Sequence, residues 1–190
     1  MSETKSIGHS VYPPTIKRSI WGTVQYQHNY AEGIDFVSTA GHGGFKLDRK
    51  RNAKIPKAFR MEGGWYEEDV NFNIVIYFFA DTNEDWTEKK DKAERQLKIW
   101  LWQNWEVYTG KELQPGESHF KDEHVWKQAN KDKFIVRSAL LADDRNWVNV
   151  TAVRESDGAR GEWTVPTEEY RTDKNYGNFV IDEARHLPKI

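Results

Sequence analysis

A regularly spaced apolar stripe in residues 87–108 constrains the fold of this chain more than any other pattern. Its members follow one another at steps of three, four and one residues: Ala93, Leu97, Trp100, Leu101, Trp105 and Tyr108. This spacing places them on one side of an α-helix, where they can pack against a sheet. Thr82 or Asp85 can cap the start of the helix, and Gly110 can end it. The sequence therefore predicts one long helix over residues 87–108.

Strand-like runs lie on both sides of this helix. Residues 20–28 and 34–40 are joined by a polar turn over residues 29–33, as in a hairpin. The C-terminal runs cover residues 134–142, 146–155 and 160–166, with a short last run at residues 179–181. Asp157-Gly158 is a hairpin signal within this series. We expect an α+β fold in which the N-terminal hairpin and the C-terminal meander form an antiparallel sheet against the long helix.

One or two shorter helices complete the expected fold. Asp48 or Asn52 can cap a brief helix, and residues 118–130 form a second candidate. Residues 66–79 are ambiguous, because alternating apolar residues favour a strand whereas carboxylates at 67–69 suit a helix start. A helix is the preferred interpretation of this segment.

Composition and length indicate one globular domain behind a short arm. The chain has 190 residues, of which 14% are aromatic, and this share argues against disorder. Residues 1–17 are polar and contain Pro13-Pro14, which excludes a helix there. We therefore expect an N-terminal arm over residues 1–17 and a single α+β domain over residues 18–190.

Several function classes lack their sequence signatures. The absence of cysteine excludes disulfides, thiolate nucleophiles and Cys-ligated zinc. There is no P-loop, dinucleotide-binding fingerprint or serine nucleophile elbow. His119 and His124 are five residues apart, which does not place them on one helix face as a metal-binding pair. We expect no metal site, no cofactor and no membrane partner, and a cytoplasmic location, because no apolar run reaches about 20 residues and no secretory signal is evident.

Two glycine-rich segments carry the candidate site. His42 stands among Gly41, Gly43 and Gly44, directly after an apolar run. Glycine lets a backbone approach a ligand closely, and imidazole titrates near neutral pH, so His42 is a candidate general acid or base, or a metal ligand. The alternative is a histidine that holds the loop in shape. A second glycine pair at positions 63 and 64 leads into further candidates for ligand binding and catalysis: Trp65, Glu67, Glu68 and Asp69. On a helix the three carboxylates at 67–69 would point in different directions, so one of them can face His42 while the others meet solvent or basic residues. Helix capping and solubility are the simpler explanation of all three.

A basic segment follows the histidine loop. Residues 46–60 contain seven lysine or arginine residues against Asp48 alone, although the formal net charge of the chain is −2. Lysine and arginine clusters bind phosphate and nucleic acid, whereas a solvated basic turn that balances the acidic residues 67–69 is the simpler explanation. The candidate anion-binding or ligand-binding set is Gly41, Gly43, Gly44, Lys46, Arg49, Lys50, Arg51 and Trp65. Successive N–H groups of the glycines would form the anion-binding loop.

The motifs also support a family resemblance that covers about residues 20–187. The quoted segments are Ser38-Thr39 before Gly41-His42-Gly43-Gly44, Ile55-Pro56, Gly63-Gly64-Trp65-Tyr66-Glu67-Glu68-Asp69, Tyr108-Thr109-Gly110, Ser138-Ala139-Leu140, Val165-Pro166-Thr167-Glu168-Glu169-Tyr170 and Phe179-Val180-Ile181-Asp182. With these in order, the chain resembles an uncharacterised domain family of bacteriophage and plasmid proteins. The resemblance implies a mobile-element origin and supplies no catalytic residues.

Two functional hypotheses follow from these observations. The first is an accessory protein of a phage or other mobile element that binds a host protein or nucleic acid, for example to counter host defence. The second is an enzyme that acts on a nucleotide-like or phosphorylated small molecule. In that case His42 would be the acid or base, one of residues 67–69 would orient it, and Lys46 with Arg49 would neutralise substrate charge.

Overall fold

A computed structural model describes residues 8–189 of the chain, which divide into two compact units with the boundary after Phe120. The α+β class is confirmed, because both units combine helices with antiparallel sheets. The single-domain organisation remains a prediction. Among the described residues, no helix has both the length and the apolarity needed to cross a bilayer.

The first unit is built on a five-stranded antiparallel sheet in the order β1-β4-β5-β6-β7. The strands of this unit are β1 (His9–Val11), β2 (Arg18–Ser19), β3 (Gly22–Thr23), β4 (Tyr26–Ala31), β5 (Ile34–Ser38), β6 (Gly43–Leu47) and β7 (Trp65–Glu67). β2 and β3 form a separate two-stranded ribbon. Residues 1–7 of the expected N-terminal arm lie outside the described residues, and β1 belongs to the part of the arm that is described.

The described residues of the first unit contain four helices, three of which contribute buried side chains to a common core with the sheet. The four helices are α1 (Arg49–Lys54), α2 (Phe72–Phe78), α3 (Glu84–Trp100) and α4 (Trp102–Thr109), and α5 (His119–Ala129) crosses the boundary between the units. Phe45 of β6 pairs with Tyr66 of β7, so both side chains lie on the same face of the sheet. They share a buried core with Ile74 of α2 and Leu97 of α3. This core holds β6 and β7 in the register that defines the site described below.

The expected long helix is divided at Leu101. The backbone of Leu101 has φ −121° and ψ 41°, which ends α3 and precedes α4. Hydrogen bonds continue across this point, from the Leu101 N–H to the Leu97 carbonyl at 2.9 Å and from the Trp105 N–H to the Leu101 carbonyl at 2.9 Å. The apolar stripe therefore runs through both helices without revealing the kink. Asn83 caps α3, and Gly110 ends α4 in the left-handed conformation expected of it.

The ambiguous residues 66–79 contain both a strand and a helix. β7 ends at Glu67, and α2 begins at Phe72. The carboxylates at 67–69 therefore do not form the first turn of a helix, and interaction with a helix dipole does not explain them. Pairing with β6 fixes this segment, and that long-range contact has no local signature in the sequence.

The second unit contains a four-stranded antiparallel sheet in the order β11-β10-β9-β8. Its elements are β8 (Phe134–Leu141), β9 (Trp147–Arg154), β10 (Arg160–Pro166), α6 (Thr167–Thr172) and β11 (Leu187–Pro188). The meander thus forms as expected, but it does not share a sheet with the N-terminal hairpin. The physical reason is that each sheet buries its own apolar face, which for this unit includes Val150, Trp163 and Val165.

Residues 179–181 lie beside β8 instead of forming a full strand. The Val136 N–H donates to the Phe179 carbonyl at 2.9 Å, and the Ile181 N–H donates to the Phe134 carbonyl at 2.8 Å. The expected pairing of this segment is therefore limited to one bridge, at Ile135 and Val180.

Candidate functional site

His42 is presented by the tight turn between β5 and β6. The Thr39 N–H donates to the His42 carbonyl at 2.8 Å, and the His42 N–H donates to the Thr39 hydroxyl at 3.2 Å. These bonds fix the turn, while the imidazole itself is exposed to solvent. Because the backbone of the turn is fixed and the ring is exposed, the His42 imidazole is accessible to a ligand.

Two carboxylates from the end of β7 approach this histidine. His42, Glu67 and Glu68 each offer one ligand atom, and these three atoms all lie within 4.8 Å of one another. We call these three residues the His–Glu cluster. Among residues 8–189, no other group of three or more potential metal ligands lies this close together. His119 and His124 do not belong to the cluster. Asp69 is exposed and also lies outside the cluster.

Backbone N–H groups hold both carboxylates of the cluster in place. The Gly43 N–H donates to Oε1 of Glu68 at 2.9 Å, and the Glu68 N–H donates to the Gly43 carbonyl at 3.1 Å. The Asp69 N–H donates to Oε2 of Glu67 at 3.1 Å. Each carboxylate therefore uses one oxygen to accept a backbone hydrogen bond and presents the other for different contacts.

Glycine is required where β6 approaches β7. A Cβ atom at Gly43 would lie 2.6 Å from Oε2 of Glu68 and 3.0 Å from the Phe36 ring. A Cβ atom at Gly44 would collide with the Tyr66 carbonyl and lie 2.5 Å from the Trp21 ring. These glycines permit close packing, and the Gly43 N–H is already bonded to a protein carboxylate. Binding of an external anion at the loop remains a prediction.

Lys46 and Trp65 are neighbours on the sheet face opposite the core. They are paired across β6 and β7, with the Lys46 ammonium 4.9 Å from the centre of the Trp65 ring. The ammonium also donates to the Gly63 carbonyl, and burial lowers the pKa of Lys46. Trp21, which the sequence did not identify, packs edge-on against Trp65 with ring centres 5.5 Å apart. The Lys46 ammonium is thus held by its contacts with the Trp65 ring and the Gly63 carbonyl.

The other basic candidates, Arg49, Lys50 and Arg51, lie on α1, at the opposite end of β6 from His42. The structure therefore does not bring them together with the histidine. Arg51 donates to the Glu32 carbonyl at 2.8 Å and lies 5.5 Å from the centre of the Phe79 ring.

Two of these residues and two further lysines form an exposed basic surface on α1 and the turn after it. We define this basic surface as Arg49, Lys50, Lys54 and Lys57, all of which are exposed. A salt bridge requires a carboxylate oxygen within 4.0 Å of the charged nitrogen atom. Within the described part of the chain, none of these four side chains has a carboxylate that close. The N-cap Asp48 uses its carboxylate to accept from the Arg51 N–H at the start of α1. The cations of the basic surface are therefore available to an anionic partner.

An aromatic pocket of about 370 Å³ opens in the first unit. Its lining consists of aromatic rings with two lysines and a few smaller side chains, and the residues used below are Tyr30, Phe36, Phe45, Trp86, Lys89 and Lys92. The pocket adjoins the His–Glu cluster, because the Phe36 ring and Oε2 of Glu68 both lie within 3.0 Å of the point that a Gly43 Cβ would occupy. Sequence reasoning missed this pocket, since its rings come from three strands and two helices.

The second unit contains a separate polar cluster around Glu169. Its Oε1 accepts from the Arg185 guanidinium at 2.6 Å and contacts Nε2 of His186 at 3.0 Å. Nδ1 of the buried His186 accepts from the Asp182 N–H at 3.0 Å, so Nε2 carries the proton. The bond from Arg185 holds the pKa of Glu169 below its usual value. These contacts tie the C-terminal segment to α6.

Comparison with known proteins supports a family assignment without adding an activity. No curated protein and no solved structure was found to match the chain. A family model described as a domain of unknown function, DUF7007, matches residues 14–131, which is more than half of the sequence. The His–Glu cluster, the aromatic pocket and the basic surface all lie within the matched segment. The chain therefore belongs to the DUF7007 family.

Proposed function

We propose that this protein is an accessory protein of a bacteriophage or plasmid that acts in the host cytoplasm by binding nucleic acid or a host protein, and that this binding counters host defence. The observation that carries the binding proposal is the basic surface, whose four exposed cations form no salt bridge with any residue of the range 8–189. The motif resemblance described above supports the mobile-element origin.

An anionic partner suits the basic surface for a physical reason. Since its cations make no salt bridge within the described residues, binding a phosphate does not require an existing ion pair to break. Lys50 and Lys54 are one helical turn apart on α1, so both side chains extend from the same side of the helix. Lysine contacts to phosphates release counterions, which makes such binding strongly dependent on salt. Nucleic acid is accordingly the first partner to test.

The test is a fluorescence anisotropy titration with labelled duplex DNA, single-stranded DNA and RNA over a series of salt concentrations. For duplex DNA, four phosphate contacts correspond to a slope of about −3.6 in log K against log salt. The double variant Lys50→Ala/Lys54→Ala should reduce the magnitude of this slope by about 2. It should also weaken binding uniformly across sequences, because phosphate contacts carry no sequence information.

The matched control is Lys131→Ala/Lys133→Ala, which removes two exposed lysines outside the basic surface. Its slope and affinity should equal those of the unmodified protein. Affinity that does not change with salt, or a Lys50→Ala/Lys54→Ala variant that binds like the control, would contradict the nucleic-acid proposal.

Retention from a host lysate separates a nucleic-acid partner from a protein partner. The immobilised protein is incubated with lysate before and after nuclease treatment, and the Lys50→Ala/Lys54→Ala variant is run in parallel. A host protein that is retained after nuclease treatment, and lost with the variant, supports the protein-binding form of the proposal. If neither nucleic acid nor protein is retained above the level of the variant, the binding function is rejected.

A second candidate function is favoured by the aromatic pocket, because its Phe36 ring approaches Glu68 of the His–Glu cluster. It is an enzyme that acts on a nucleotide-like or phosphorylated small molecule. The half-buried rings of Tyr30 and Phe36 line the pocket and can contact an aromatic base, while the exposed lysines 89 and 92 complement a phosphate. His42 would act as general acid or base at the edge of the pocket.

The enzymatic candidate is tested with a panel of nucleotides and cyclic nucleotides, with and without divalent metal, and products are separated by chromatography. His42→Ala should lower turnover by roughly 10²–10⁴-fold. Lys92→Ala should mainly raise KM, because the lysine charge would stabilise the bound substrate and the transition state equally. A panel without turnover, or activity that is indifferent to His42→Ala, removes this candidate.

A further inference from the structure

We infer that the His–Glu cluster binds one divalent transition-metal ion, with His42, Glu67 and Glu68 as its protein ligands. The inference concerns a site that the binding proposal does not require. It competes with the enzymatic candidate at one residue, because a His42 imidazole bound to a metal ion cannot also act as general acid or base. It differs from the expectation drawn from the sequence, which was that the chain has no metal site.

The first support is the donor set and its spacing. An imidazole nitrogen and two carboxylate oxygens lie within 4.8 Å of one another, although Glu67 and Glu68 are about 25 positions from His42 in the sequence. Metal bonds to histidine nitrogen and carboxylate oxygen are about 2.0–2.2 Å long, so ligand atoms on one ion are at most about twice that distance apart. The limit of 4.8 Å is slightly larger than this span, so binding of a common ion would require small side-chain rotations.

The second support is the charge balance of the cluster. Within the described residues, no lysine or arginine nitrogen lies within 4.0 Å of the Glu67 or Glu68 carboxylate. The nearest candidate by strand pairing, Lys46, is instead held by the Trp65 ring and the Gly63 carbonyl. Two carboxylates thus converge without a cation from the protein, and a divalent ion would neutralise both.

The third support is the way the backbone orients each ligand. The Gly43 N–H holds Oε1 of Glu68, and the Asp69 N–H holds Oε2 of Glu67, which leaves one oxygen of each carboxylate for the metal. Hydrogen bonds of this kind fix the orientation of ligating carboxylates in metalloproteins. A side chain at position 43 would displace Glu68, so the glycine is part of the geometry.

The ligand types indicate which ions should bind. Imidazole favours zinc, iron, nickel and copper, whereas carboxylates alone favour magnesium, calcium and manganese. A mixed set of one imidazole and two carboxylates therefore fits Zn²⁺ and Mn²⁺ better than Mg²⁺ or Ca²⁺. Three protein ligands also leave coordination positions open to water or to a phosphate from the adjoining aromatic pocket.

The experiment is a Mn²⁺ titration of the full chain without an affinity tag, after removal of metals with a chelator. Electron paramagnetic resonance reports free aqueous Mn²⁺, and Zn²⁺, Mg²⁺ and Ca²⁺ are added as competitors. We expect one Mn²⁺ per chain, which is displaced by Zn²⁺ more readily than by Mg²⁺ or Ca²⁺. His42→Ala and Glu68→Gln should each weaken binding by at least about tenfold, since loss of an outer-shell partner alone costs that much in metal sites.

Two control variants remove the same chemical groups elsewhere in the first unit. His9→Ala removes an exposed imidazole, and Glu62→Gln removes an exposed carboxylate before the start of β7, at the other end of this strand from the cluster. Both should bind Mn²⁺ like the unmodified protein. Far-UV circular dichroism confirms that the variants fold, and Glu68→Gln keeps an oxygen that can accept from the Gly43 N–H.

Three results would overturn the inference. The first is the absence of Mn²⁺ and Zn²⁺ binding at concentrations of about 1 mM, beyond which even weak protein sites are filled. The second is unchanged affinity in both His42→Ala and Glu68→Gln. The third is a stronger preference for Mg²⁺ or Ca²⁺ than for Zn²⁺, because the imidazole would then not be a ligand.

Discussion

Replacement of Gly44 by alanine tests whether the close contact of β6 with β7 builds the site. The added Cβ would collide with the backbone carbonyl of Tyr66 and lie 3.0 Å from Cα of Glu67. Both are backbone atoms of β7, so no side-chain rotation relieves the contact. The strands would have to separate by roughly 1 Å, which stretches the hydrogen bonds at this register beyond their normal range.

The expected loss of stability follows from two contributions. Overpacking of a well-packed position costs about 1–3 kcal/mol, and each weakened backbone hydrogen bond costs about 1 kcal/mol. We therefore expect Gly44→Ala to lower the free energy of unfolding by about 3 kcal/mol. With a urea m value of about 2 kcal/mol/M, the midpoint of unfolding should fall by about 1.5 M.

Gly41→Ala is the matched control for this substitution. Gly41 lies three residues before Gly44, and an added Cβ would have no heavy atom within 4 Å. Its φ lies outside the left-handed range, so alanine fits without strain and should change stability by less than about 1 kcal/mol. Both variants are unfolded in urea and followed by tryptophan fluorescence. If Gly44→Ala has the same midpoint as Gly41→Ala, the packing argument for the β6–β7 contact is refuted.

Two other predictions concern polar side chains that form hydrogen bonds within the protein. Tyr66→Phe should lower the free energy of unfolding in urea by about 1–3 kcal/mol, because the Tyr66 hydroxyl donates to Asn52 at 2.6 Å and accepts from the Met61 N–H at 3.2 Å. Tyr12→Phe at an exposed position is the control, and an equal loss in both variants would contradict this prediction. The pKa of Glu169 is lowered in the folded protein by Arg185, so its contribution to stability is present above the unfolded pKa of about 4.3 and is lost as the pH falls through the folded value. Glu169→Gln should therefore destabilise the protein at pH 7 and make urea unfolding less dependent on pH between about 5 and 2, and an unchanged pH profile would exclude this role.

Local patterns predicted those elements whose causes are local. The three C-terminal strands were visible because apolar residues such as Val148 and Val150 alternate with polar ones, and these two are buried in the structure. The cap of α1 was visible because Asp48 precedes the helix, where its carboxylate accepts from the Arg51 N–H. Gly110 has the positive φ that its position after the helix suggested.

Features that depend on distant contacts were not visible. The kink at Leu101 leaves the apolar stripe intact, so periodicity alone could not place it. The strand character of Trp65–Glu67 comes from pairing with β6, about 20 residues earlier, and the carboxylates that follow suggested a helix instead. The separation of the two sheets depends on which apolar faces meet, and the strand patterns do not contain that information.

The candidate site could be predicted only in part, because only some of its features have a local pattern in the sequence. Glycines around His42 and the carboxylates after Trp65 identified both segments, and the structure places Glu67 and Glu68 near the histidine. The sequence grouped Lys46 and Arg49 with His42 because they are near in the chain, but Arg49 lies at the other end of β6. The aromatic pocket and Trp21 had no local pattern to identify them, since single aromatic residues are equally typical of a core.

The position of β7 at one end of the five-stranded sheet has a consequence for self-association. An edge strand exposes backbone groups that can pair with a second sheet, and short length and charged side chains oppose such pairing. β7 has three residues, and the last of them is the first of three consecutive carboxylates at positions 67–69. Two copies that meet along this edge would therefore bring six negative charges together. Neutralising that edge, for example by Glu67→Gln with Glu68→Gln, should raise the tendency of the protein to aggregate through sheet extension.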